Sequence, residues 1–198
     1  MVLAAGGCAY ELHSHSRVAD PGRLARLRKI AVAPFRYPHD WTGYFREIYC
    51  SAGLKPPRVK KIDEVESSFL PEGALLKRGY AVPAWPEKFR GFHWKGEGDE
   101  RGKGKKISGA KDLGKNLTAA LQAARAAGAE AVLLLKGWSR CPDMNRCESE
   151  VEMRLVDSET GAPIWTSRAT GASLIGQGNE MRAAVEKALE ALPPPAGR

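Results

Sequence analysis

The sequence predicts an α/β fold. It reads as a single domain on a mixed sheet, with parallel strands, an antiparallel edge hairpin and helices packed on the sheet. Three observations carry this. KIAVAPF (29–35) and AVLLLKGW (131–138) are apolar runs of strand length, and helical patterns separate them. VEMRLVD (151–157) and APIWTSRATG (162–171) alternate in the manner of strands and are joined by the turn SETG. Leu113, Leu117 and Leu121 lie four apart, and Met181, Val185, Leu189 and Leu192 repeat at helical spacing. A chain of 198 residues suits one domain with tails and can bury a core without a metal.

In chain order, residues 9–27 are polar, with Pro21-Gly22 in the middle, and read as a flexible tether. The α/β domain is expected over 28–192. Ile30, Val32 and Phe35 mark a buried strand, which Pro34 ends. Asp40 caps a helix that carries Trp41, Tyr44, Phe45 and Ile48 at helical spacing and stops at Gly53. Such an aromatic stripe reads first as core packing, and Cys50 falls within it as a small core residue. After a break at 54–61 the pattern turns helical from Asp63, with Pro71 opening a second piece. Lys77, Arg78 and Gly79 suit the end of that helix, cations for its dipole and glycine for its cap. Tyr80–Pro83 reads as a short strand, and 84–111 as a basic, Gly-rich loop. The leucine-spaced helix ends near Gly128 and feeds a strand buried on both faces. The final helix stops at Pro193-Pro194-Pro195, and 193–198 is expected to be a disordered tail.

Net charge is +8, which favours an anionic partner, although Lys and Arg are spread along the whole chain as on any solvated surface. No apolar run reaches the roughly eighteen residues that a membrane-spanning helix needs. Trp85, Phe89, Phe92 and Trp94 stand among cations, a composition that can stack on single strands. No RNP-type, OB or zinc-knuckle signature accompanies them, so no nucleic acid is expected. The same aromatics can anchor the loop onto the domain or sit at a protein interface.

Cys141 and Cys147 bracket CPDMNRC. Metal sites use closer cysteine spacing with a second pair or histidines nearby, and the nearest histidine in sequence is His93, so no metal is expected. A local disulfide in an oxidising compartment fits better, with two free thiols as the alternative. His13 and His15 fall in the N-terminal arm, His39 and His93 in loops. Neither a G-x-S-x-G elbow nor an H-E-x-x-H motif is present, and Asp157 and Glu159 read as solvated turn residues. No catalytic residue and no cofactor are expected.

The stretch LAAGGC (3–8) raises a further possibility beside that of a ragged terminus. It resembles the end of a lipoprotein signal, with Cys8 as the lipid acceptor and 1–8 as its residue. If so, the true start lies upstream, because the apolar stretch is short and lacks a basic leader.

KIAVAPF, ALLKRGYAVP, GAEAVLLLKGW and RLVDSETGAPIWTSRATG resemble, in that order, bacterial envelope lipoproteins with a domain like those of CsgG, LpoB, PelC and the TolB N-terminus. The most specific part is the turn and strand with Asp157, Thr160, Gly161, Ile164 and Trp165. Residues 38–62 and 84–110 are longer than the usual connections, and Ala5 stands where such signals carry Leu, Val or Ile. The resemblance implies a non-catalytic periplasmic lipoprotein, held to outer-membrane lipid through Cys8. It further implies a homo-oligomeric scaffold or accessory factor for envelope export or assembly proteins. Trp85, Trp94, Lys103, Lys105 and Lys106, together with Trp138 and Trp165, are then candidate partner contacts, with core packing as the alternative for the last two. Two other classes stay open: a module binding anionic glycan or peptidoglycan through Lys103, Lys105 and Lys106, and an enzyme with His39 or His93 beside a carboxylate.

Overall fold

Ala131–Arg140 is the strand on which the rest is built (β5; the others are numbered in chain order below). Its side chains alternate between two cores. Ala131, Leu133 and Leu135 enter one, Val132 and Leu134 the other, so it is buried on both faces as its unbroken apolar run implies. The structure is a computed structural model that describes residues 13–56, 58, 62–67, 69–89, 92, 94, 109–174 and 180–195, with the backbone alone for 109–115 and 174.

The elements are β1 (Ser14–Val18), α1 (Pro21–Arg26), β2 (Ile30–Val32), β3 (Arg36–Asp40), α2 (Thr42–Ser51), β4 (Ile62–Glu66) and α3 (Phe69–Lys77). A single 3₁₀ turn at Glu87–Phe89 precedes α4 (Gly109–Ala126), β5, β6 (Arg146–Asp157), β7 (Pro163–Leu174) and α5 (Glu180–Leu189). The sheet runs β1-β7-β6-β5-β3-β4, and β2 also lies beside β5. β2 and β3 pair parallel with the start and the end of β5, two pieces of one line broken around Pro34. β5, β6, β7 and β1 are successively antiparallel. α3 and α5 pack on one face and α4 on the other.

Six expectations are corrected. Residues 14–26 are not a tether. Ser14–Val18 pairs with β7 from Ala169 to Trp165, beyond the hairpin, and Asp20 caps α1 by accepting the Arg23 N–H at 2.8 Å. β1 is polar and mostly exposed, so it is held by ladder hydrogen bonds that an apolar pattern does not record. Residues 36–40 form a strand rather than a loop, and Ile62–Glu66 pairs antiparallel with it instead of starting a helix. Edge position explains the second: β4 pairs with β3 alone among the described residues and has a largely exposed, charged sequence. Cys50 is exposed rather than core, because α2 lies on the rim and buries none of its residues fully. The start of the tail is anchored, since Leu192 is buried and the Tyr80 hydroxyl donates to the Pro193 carbonyl at 2.6 Å. Of the predicted Tyr80–Pro83 strand, a single bridge from Ala81 to Lys29 forms.

On the α4 side, no described element covers the hairpin beyond Val156. There Lys136 and Arg154 flank Glu152 at 2.9 and 3.3 Å, and Arg168 meets Glu150 at 2.8 Å.

Candidate functional site

The core beneath α5 changes chemistry toward one end of the sheet. Along β5, Leu133 and Leu135 give way to Ser139. Along β7, Trp165 and Ala169 give way to Ser173. β3 contributes His39 opposite Ser139, and α5 opens with Glu180. All four are buried, with Glu180 only 2 % exposed and His39 5 %.

Glu180 is held by hydroxyls. Ser139 donates to its Oε1 at 3.0 Å and Ser173 to its Oε2 at 2.8 Å. Gly171 allows this approach: a Cβ there would stand 2.6 Å from the Ala184 nitrogen and push α5 off β7. His39 Nδ1 lies 3.9 Å from Glu180 Oε1, and its Nε2 lies 3.2 Å from Cys141 Sγ. The Trp41 ring stacks on the imidazole at 4.0 Å between centroids and 6° between planes. Burial lowers the His39 pKa below its ordinary 6.5, outweighing the opposing pull of Glu180, Asp63 and Asp40, and so favours the neutral ring. Ser149, the register neighbour of Ser139, keeps a buried hydroxyl with no hydrogen-bond partner among the described residues.

Cys141 and Cys147 form a disulfide that closes the β5–β6 connection above this cluster. The connection is fixed from both sides. The Cys141 N–H donates to the Asp40 carbonyl at 2.9 Å, and the Tyr44 N–H donates to the Cys141 carbonyl at 3.1 Å. Gly43 permits that contact, because a Cβ there would stand 2.6 Å from the same carbonyl oxygen. Asp40 does serve the start of α2, accepting the Thr42 N–H at 2.9 Å.

A carboxylate, an imidazole and a sulfur in line form the order of a nucleophile with its base and orienter. Here the sulfur is in a disulfide, Cys141 is 1 % exposed, and Trp41 lies flat on the His39 ring. The arrangement therefore presents no open attack site. As ligands, His39, Cys141 and Cys147 offer one donor atom each within 4.8 Å of one another. Sequence proximity points to His93, which lies outside the described residues; the fold brings His39 beside the two sulfurs.

The other candidates are dispersed. Trp165 is 0 % exposed and is core, so it leaves the set of possible contacts. Trp138 is half-buried on the opposite face, under the Arg140 guanidinium at 5.3 Å. Trp85 stacks on Phe92 at 5.6 Å, and both pack with Trp94 against the α4 core, which ties the start of the long loop to the domain. Cys8, His93, Lys103, Lys105 and Lys106 lie outside the described residues. Asp157 is not a solvated turn residue. It is buried, accepts the Glu159 and Thr160 N–H groups at 2.9 and 3.0 Å, and takes the Arg23 Nε donor at 2.6 Å. Burial works against its charge, but these bonds together hold its carboxyl below the ordinary 3.8. His39, Ser139, Ser173 and Glu180 are not recognisable as a group in the sequence. The alternation of Tyr37 and His39 in RYPHD is a usable signal for the first; nothing local marks Glu180.

No protein-family model matches the chain, and no curated protein matches it. Among solved structures it is similar to a PelC dodecamer from Paraburkholderia phytofirmans, at 14% identity over 93% of this chain and 98% of that one, TM-score 0.44. It is similar to the lipoprotein GNA1162 from Neisseria meningitidis, at 18% identity over 78% and 88% of the two chains, TM-score 0.39. It is also similar to the LpoB C-terminal domain from Salmonella enterica, at 15% identity over 78% and 87%, TM-score 0.38.

Proposed function

We propose that this chain is a periplasm-facing envelope lipoprotein, anchored in the outer membrane through Cys8, which assembles as a homo-oligomer and serves export or assembly as a non-catalytic scaffold. The observation that carries the reading is the Cys141–Cys147 disulfide. Such bonds persist outside the reducing cytosol, and this one joins two strand ends at the centre of the sheet. The covered state of the His39–Glu180 cluster supports a role without turnover. The resemblance of the four sequence stretches supports the envelope assignment.

The anchor has a geometric consequence. β1 begins at Ser14, so acylation at Cys8 leaves a connection of at most about 20 Å. The domain is then held against the bilayer instead of hanging on a long tether. Several acyl chains on one cysteine make such attachment durable, because each buried methylene contributes about 0.8 kcal/mol.

The test is to express the natural reading frame in a Gram-negative host with labelled palmitate. Label in the outer-membrane fraction, its loss in Cys8→Ser, and a multimer on sizing in detergent are expected. An unlabelled monomer in the cytosol contradicts the reading.

A further inference from the structure

We propose that His39, Cys141 and Cys147 form a redox-gated site for one soft d10 cation, Zn(II) or Cu(I). The disulfide closes the site. When both sulfurs are free, two thiolates and the His39 imidazole hold the ion.

Three features of the structure converge on this. The donor atoms already lie within 4.8 Å, and His39 Nε2 stands 3.2 Å from Cys141 Sγ. Nitrogen and sulfur ligands of one tetrahedral zinc stand about 3.5 Å apart, so the imidazole needs little movement. Its other nitrogen faces Glu180 at 3.9 Å, beyond hydrogen-bond length, and a small shift of the ring toward the carboxylate would complete the carboxylate–histidine pair that orients a metal-bound ring. Glu180 itself is a buried carboxylate whose hydroxyl partners Ser139 and Ser173 carry no charge. A cation one ring away offsets that charge.

Gating follows from sulfur chemistry, since thiolate binds such ions and a disulfide sulfur has no thiolate to offer. A dithiol reductant supplies two electrons and two protons and leaves as its own disulfide. Cys141 and Cys147 become thiols, and ion binding releases both protons to solvent. The loop between the two cysteines, residues 142–146, is partly exposed and short. The site is independent of anchoring at Cys8.

The experiment uses the full chain with Cys8→Ser and Cys50→Ser, because Cys50 is exposed and would bind metal itself. The disulfide form and a form reduced with a phosphine, then desalted, are titrated with Co(II) as a zinc probe and with Cu(I) against a chromogenic chelator. One ion per reduced chain, with thiolate-to-cobalt charge transfer, is expected, and none for the disulfide form. X-ray absorption should find two sulfurs and one imidazole nitrogen. Glu180→Gln should weaken binding about 10–100-fold, and His39→Gln at least as much, with circular dichroism confirming the fold. Failure of the reduced chain to bind either ion, equal binding by the disulfide form, or sulfur-only ligation in the unsubstituted site overturns the proposal.

Discussion

One face of the sheet is apolar at one end and polar at the other, and both ends are equally buried. Beneath α5, Leu133, Leu155, Ile164 and Trp165 meet Leu189 and Leu192. Farther along, His39, Ser139, Ser173 and Glu180 fill the same layer under the disulfide. The apolar end gains free energy from every side chain it removes from water. The polar end loses hydration and recovers it only through directional bonds. Stability should therefore reside in the first end. The second fixes one geometry and relies on the disulfide to hold it.

The largest expected effect lies at the apolar end. Trp165→Ala should lower unfolding free energy by about 3–5 kcal/mol, read by denaturant titration. At the polar end, the paired change Cys141→Ser with Cys147→Ser should lower it by about 2 kcal/mol, as a closed loop this short implies. A loss larger than that of Trp165→Ala would reverse the assignment of the two ends.

Acid separates the ends further. Folded His39 has a depressed pKa, so the unfolded chain takes up the proton first. Its share of stability is complete above 6.5 and falls as pH drops through that value. Asp157, beside the apolar end, also has a depressed pKa. Its share is present above 3.8 and is lost as pH falls through the lower folded value. His39→Gln should flatten the first decline and leave the second, while Asp157→Asn should do the opposite. The smallest effect belongs to the opposite face. Lys136→Ala breaks a half-exposed pair with Glu152 and should change stability by less than about 1 kcal/mol, diminishing with salt.

The sequence made the apolar end legible and hid much of the polar one. AVLLLKGW and the hairpin around SETG are patterns generated by burial, and burial is what periodicity records. β1 and β4 are edge strands of polar residues, stabilised by backbone pairing, so no alternation marks them. The helix at 21–26 was readable. Asp20 followed by Pro21 is a cap and first-turn signature, but Pro21-Gly22 equally signals a loop. The candidate site joins His39 to Cys141 and Glu180 across 102 and 141 positions (180 minus 39 for the second), a juxtaposition that only the topology of the sheet supplies. The Cys141–Cys147 pair needed no topology, because a six-residue separation declares it locally.

The proposed function requires a chain that is exported, acylated and oxidised. Intact mass of the protein extracted from cells in detergent, after alkylation without reductant, tests this most directly. The expected species carries acyl groups on Cys8, one alkyl group on Cys50 and a bond between Cys141 and Cys147. A chain without lipid, alkylated at all four cysteines, would contradict it.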